Sequence, residues 1–143
     1  MDFEKRKFEV MDSLRNEDLL ESFDILEDDQ QALILRTYQQ IDESKAHCII
    51  SIIMSSDSAY SLIYYVFAKL TDYNKKSSII EFLNTLNNNS VLMKYYLDEK
   101  NHIVGSINYI GIDANFNSSE FIALMEIGFS EIIDTYSKIN KLI

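Results

Sequence analysis

Between Cys48 and Leu70 the chain carries two stretches that are apolar at alternate positions on both sides at once. Cys48, Ile50, Ile52 and Met54 oppose Ile49 and Ile53. After the polar break Ser55-Ser56-Asp57-Ser58, Leu62, Tyr64, Val66 and Ala68 oppose Ile63, Tyr65 and Phe67. A period of two sends successive side chains to opposite faces of a strand. Two such strands joined by a short polar loop predict an antiparallel pair. A sheet covered on one side only alternates apolar with polar. Strands that are apolar on both sides therefore demand helices on both faces, or leave one face for a binding partner or a second copy.

The rest of the chain supplies the helices. Phe3, Val10, Met11 and Leu14 recur at helical spacing over 3–20, and the Glu27-Asp28-Asp29 cluster reads as a solvated turn. Leu33 to Tyr38 returns to period two, followed by a polar hairpin loop at Asp42-Glu43-Ser44-Lys45. Ser78-Ile79-Ile80-Glu81 has the form of a capping box and opens a helix over 78–88, which Asn87-Asn88-Asn89 ends. Residues 91–97 and 103–110 read as a hairpin around Asp98-Glu99-Lys100-Asn101. Asn117 and Glu120 form a second capping signal, with Phe116 placed to staple against Phe121, at the head of a helix over 118–141. Gly128 within that helix costs about 1 kcal/mol relative to alanine, which close approach of another backbone would explain. The expected order is α-β-β-β-α-β-β-α: one α+β domain over 1–143, an antiparallel sheet packed with helices.

Charge narrows the function. The 143 residues carry a formal net charge of −10, and residues 1–31 hold 11 acids against 4 bases. No excess of Lys and Arg exists to neutralise phosphates, so neither nucleic acid nor an anionic membrane surface is an expected partner. One cysteine permits no internal disulfide and suits a reducing compartment. The first residues lack the apolar core of a secretion signal, and no run of about 18 apolar residues occurs. A soluble, cytoplasmic protein is expected. With three glycines and no proline, there is little material for a glycine-rich phosphate loop or a proline-rich docking segment.

Residues capable of chemistry are scattered. His47 and Cys48 are adjacent on a predicted strand and so face opposite ways, and no spacing ties His102 to either; no metal site is expected. Cys48 reads as a small buried hydrophobe. Glu27, Asp28 and Asp29 lack the alternating oxygen ligands and the glycine of a calcium loop. Ser55, Ser56 and Ser58 lack a nucleophile-elbow context. No cofactor and no catalysis are expected. The aromatic residues are the stronger signal: Tyr60, Tyr64, Tyr65, Phe67, Tyr95, Tyr96 and Tyr109 all fall on strands or at their ends. Tyrosine on a sheet packs, and it is also enriched at the centres of protein interfaces. A contact centred on Tyr65, Phe67 or the Tyr95–Tyr96 pair is expected, away from the acidic segment 1–31.

One stretch carries a resemblance. Ile79-Ile80-Glu81-Phe82-Leu83-Asn84-Thr85-Leu86-Asn87 leads to Lys94-Tyr95-Tyr96-Leu97-Asp98 and His102-Ile103-Val104, and the closing helix contains Ile133-Asp134-Thr135-Tyr136. This pattern over 77–143, with the element order of the whole chain, resembles the YbjN family of bacterial proteins. The fold of that family is similar to the class I chaperones of type III secretion. The resemblance implies a non-enzymatic, protein-binding role, commonly as a dimer, and carries no active-site residues. The expected function is thus a chaperone- or adaptor-like module acting on a protein partner, with a homodimer as the accompanying state. Two alternatives stand beside it. One is a small-ligand-binding domain or modest enzyme with a pocket between the sheet and the last helix. The other is an acidic immunity protein against a basic toxin.

Overall fold

The structure, a computed structural model, describes residues 3–42, 46–111 and 115–143. Helix α1 (Phe3–Asn16) is followed by strands β1 (Asp24–Asp28), β2 (Ala32–Gln40), β3 (His47–Ser55) and β4 (Tyr60–Lys69). Helix α2 (Lys76–Asn89), strands β5 (Lys94–Leu97) and β6 (His102–Ile110) and helix α3 (Ser118–Ile139) complete the chain. Six antiparallel strands form one sheet in the order β1-β2-β3-β4-β6-β5. The α+β class and the run of hairpins agree with the sequence.

Three local expectations need correction. Residues 24–28 form a strand, so the order gains a fourth strand before α2. Glu27 and Asp28 belong to that strand, and only Asp29 serves the turn, accepting from the amides of Gln31 (2.8 Å) and Ala32 (2.9 Å). The capping box at Ser78–Glu81 does not form: α2 begins earlier, after a 3-10 turn whose amide at Asn74 is capped by Asp72. The first helix stops at Asn16, and a separate 3-10 turn covers Leu20–Ser22. Of the hairpin loop expected at Asp42–Lys45, residues 43–45 lie outside the described residues. At α3 the signals read correctly: Asn117 Oδ1 accepts from the Glu120 amide at 3.0 Å, and the Phe116 and Phe121 rings lie 5.9 Å apart.

Register decides which side chains share a face. Leu35 pairs with Ile52, Ile52 with Ile63, and Ile63 with Ile107; Ile50 pairs with Tyr65, and Tyr65 with Gly105. These residues line one face, and all but Gly105 belong to one hydrophobic cluster with Val10 and Leu14 of α1, Ile79 and Leu83 of α2, and Phe121, Met125 and Ile132 of α3. All three helices therefore serve the same side of the sheet. Polar contacts hold them there. Arg6 of α1 donates to the Ser55 carbonyl, Lys7 to Asp28, and Ser13 Oγ lies 2.7 Å from Ser118 Oγ. Asn87 of α2 exchanges two hydrogen bonds with the backbone of Tyr95.

Candidate protein-interaction surface

With the helices on one side, the other side of the sheet is bare among the described residues. Its residues fall into three cross-strand rows. The first runs Glu27, Ile34, Ile53, Leu62, Asn108; the second Asp24, Arg36, Ser51, Tyr64, Ser106, Lys94; the third Tyr38, Ile49, Val66, Val104, Tyr96. Ile34, Ile49, Ile53, Leu62, Tyr64, Val66 and Tyr96 are half-buried, screened only by their neighbours on the sheet, and none joins the main cluster. Tyr38 at the edge of the patch is 52% exposed. An antiparallel sheet tolerates one wet face when that face is polar. This one is mostly aliphatic and aromatic.

Besides Lys94 at the β5 edge, Arg36 is the one basic side chain in these rows. Its guanidinium lies 5.4 Å from the Tyr38 ring centroid, a cation–π contact, and its Nε has no hydrogen-bond partner among the described residues. The end of the face near the β3 start is a shallow basin lined by Tyr38, His47, Ile49, Val66, Lys69 and His102. The Asp98 carboxylate reaches the His102 ring at 3.3 Å and also accepts from the amides of Lys100 and His102. Burial works against that carboxylate, but the two amides and the imidazole outweigh it and hold its pKa below the ordinary range.

Of the four residues singled out from the sequence, three face the wrong way for an interface. Tyr65, Phe67 and Tyr95 are buried under the helices. Tyr65 points at α3 and donates to the Met125 carbonyl at 2.6 Å. Phe67 keeps the inward parity of Ile63 and Tyr65, edge-on to Tyr95 with centroids 6.2 Å apart, and the bulge between Val66 and Ala68 sets Ala68 opposite Ile103 and against the core, not on the side of Val66 as the alternation predicts. The Tyr95 hydroxyl is committed to Glu131 and to Thr135. Burial raises the pKa of both buried tyrosines far above the ordinary value, with nearby Glu131 adding to it. Only Tyr96 lies on the open face, half-buried, its ionisation disfavoured by desolvation and then by Tyr64 and Asp98. The residues the sequence reading did not centre on are Tyr64 and Val66. Their signal was present: the open-face set is interrupted by Ser51 and Arg36, whereas the opposite parity on β3 is apolar throughout.

The other candidates are placed as follows. His47 is exposed and Cys48 buried, on opposite faces of β3; burial pushes the Cys48 thiol up to about 12. Among the described residues no three His, Cys, Asp or Glu side chains are grouped to hold a metal ion. Ser55 hydrogen-bonds Asp57, and Ser58 Oγ accepts from the Tyr60 amide, both within the β3–β4 turn. A half-enclosed cleft of about 310 Å³ opens between α3, the first two long strands and the Leu20–Ser22 turn. Leu19, Phe23, Ile50, Met125 and Phe129 form its apolar wall, and Thr37, Gln39, Glu126 and Ser130 its polar lining. Among the described residues no helix is long and apolar enough to cross a membrane. No protein-family model, curated protein or solved structure matches the chain.

Proposed function

We propose that this protein is a non-enzymatic protein-binding module, chaperone- or adaptor-like, that engages a protein partner through the uncovered face of its sheet. The observation that supports it is the half-exposed apolar surface around Ile53, Leu62, Tyr64 and Val66, on strands whose other face packs all three helices. The resemblance to YbjN proteins points the same way, and cytoplasmic action is part of the reading. The excess of acid lies mainly in residues 1–31, at the start of the chain and on the edge strand β1.

The test is affinity capture from the native cell with the wild-type chain and Tyr64→Glu side by side. The reading requires a partner that the wild type retains and Tyr64→Glu loses while its near-UV circular dichroism stays unchanged. Capture that is indifferent to Tyr64→Glu defeats it.

The cleft between α3 and the sheet supports a second reading, a small-ligand site. Its size suits a compact, largely apolar molecule with one or two hydrogen-bonding groups for Thr37, Gln39 or Ser130. Phe129→Glu would close that site and leave the open sheet face intact.

A further inference from the structure

The open face has a charge pattern that its own copy complements. We propose that the partner on this face is a second copy of the chain, stacked sheet to sheet about a two-fold axis parallel to the strands. This rests on the reading of the open face as a protein-binding surface.

The middle row of the face carries the inference. It runs Asp24, Arg36, Ser51, Tyr64, Ser106, Lys94 across all six strands, with an acid at one end and a base at the other. Asp24 and Lys94 are both exposed, and neither forms an ion pair among the described residues. A two-fold axis along the strands, midway between β3 and β4, lays β1 of one copy over β5 of the other. Asp24 then meets Lys94 of the second copy, and the contact occurs twice. Arg36, whose Nε has no hydrogen-bond partner among the described residues, comes to lie over Ser106 and Asn108 of the second copy, both of which carry acceptor oxygens. Ile53 comes over Leu62, apolar on apolar. The alternative axis, across the strands along the middle row, sets β1 over β1 and β5 over β5, so Asp24 would face Asp24 and Lys94 would face Lys94. Like charges in register repel, so the strand-parallel axis wins.

Area is sufficient. The 46 residues of the six strands, at about 3.3 Å per residue and about 4.8 Å between strands, present roughly 700 Å² per copy, or roughly 1,400 Å² for a pair. Stable specific interfaces bury about 1,200–2,000 Å². Sheets stacked this way pack about 10 Å apart with strands within about 30° of parallel, which the twist of each sheet allows. Helix α1, with three acids and four bases, lies on the far side of each sheet, and the acidic edge strand β1 lies over β5 of the second copy, a sheet's width and more than a Debye length of about 10 Å from the other β1, so repulsion between the two acidic edges is largely screened.

Sedimentation equilibrium from submicromolar to high micromolar concentration reads the outcome. The wild type is expected to move from 16.7 kDa to twice that mass. Tyr64→Glu, at the centre, should hold it at the lower mass. Lys94→Glu and Asp24→Lys should each weaken pairing about tenfold, and the double variant should recover to within about threefold of wild type. Both rim positions are exposed, so these variants read the contact without threatening the fold. A wild type monomeric at every concentration overturns the inference, as does a dimer untouched by Tyr64→Glu. A dimer that Tyr64→Glu dissolves but that ignores the charge exchange overturns the axis. Failure here is separable from failure of the broader reading: a monomer that captures another protein in a Tyr64-dependent way retains the open face as a binding site and loses only the second copy.

Discussion

The Tyr65 hydroxyl occupies the notch that Gly128 leaves in α3, and from there it donates to the Met125 carbonyl one turn back. The close approach that Gly128 permits is therefore by a side chain of β4, not by another backbone. A Cβ at 128 would overlap the Tyr65 hydroxyl and stand 2.8 Å from Ile107 Cδ1. Alanine gains about 1 kcal/mol of helix propensity, but overpacking a filled core costs about 1–3 kcal/mol. Gly128→Ala is expected to lower unfolding free energy by up to about 2 kcal/mol in urea melts. In the Tyr65→Phe background the same change should cost less, because the overlapping atom is gone. Additive costs in that double-mutant cycle would show that the notch is unimportant.

A second polar contact ties β5 to α3. Glu131 accepts from the Tyr95 hydroxyl and from Ser90 Oγ (3.1 and 3.2 Å), and Ser90 Oγ in turn accepts from the Met93 amide. Glu131→Leu removes a charged acceptor from two donors at once. A loss of about 2 kcal/mol is expected, against about half that for Tyr95→Phe, which leaves Glu131 its serine. Equal costs for the two variants would mean that Ser90 contributes nothing.

Elements with a buried stripe were legible in the sequence, because burial imposes the periodicity that is read. α3, β2, β3, β4 and β6 appear close to their expected positions. Strand β1 was missed because every residue in it is exposed, so nothing in Asp24-Ile25-Leu26-Glu27-Asp28 alternates. It forms by backbone pairing to β2, with an irregularity between Ile25 and Glu27, and its acids suit an edge strand. The open face was half legible. Period two separates Tyr64 from Tyr65 without saying which meets the helices. That choice depends on Gly128 and Gly105, more than 35 residues away in sequence, which make room for Tyr65, Met93 and Ile132.

Cys48 gives an internal reporter. It is fully buried, with its thiol pKa raised to about 12 by desolvation. At neutral pH the thiolate population is negligible and the sulfur is inaccessible. Alkylation by a water-soluble maleimide should proceed at the rate of global unfolding and track the urea transition. Rapid modification of the native protein would mean that β3 opens locally.

Alkaline pH should unfold the protein cooperatively. Burial raises the pKa values of Tyr65 and Tyr95, and Lys7 is also raised because the carboxylates of Asp28 and Glu4 outweigh its desolvation. For each of these groups the folded value lies above the unfolded one. Their stabilisation is therefore complete below the unfolded pKa of about 10 and is lost as pH rises beyond it. Cys48, whose folded value of about 12 also lies above its unfolded value of about 8.5, starts the loss earlier, so the urea midpoint should hold steady up to about pH 8 and then fall, with a shallower fall in Tyr65→Phe. A midpoint flat to pH 11 would contradict the burial of these hydroxyls.

Ile52 and Ile53 test the asymmetry of the sheet most directly, because they are neighbours on one strand, identical in chemistry and opposite in direction. Ile52 is fully buried against Leu35 and Ile63; Ile53 sits half-exposed between Ile34 and Leu62. Threonine at 52 loses buried methyl and methylene contacts, leaves a small cavity and places a hydroxyl where little can bond it. These effects together are expected to cost about 3 kcal/mol. Threonine at 53 keeps the branched side chain that strands favour and sets its hydroxyl toward water, so the expected cost is below about 1 kcal/mol. Both are to be measured in the Tyr64→Glu background, so that pairing between copies does not enter the unfolding free energy. If the face of Ile53 were covered by part of its own chain, the two substitutions would cost alike. A difference of about 2 kcal/mol or more says that the surface is left open in the single chain, and that whatever covers it comes from outside.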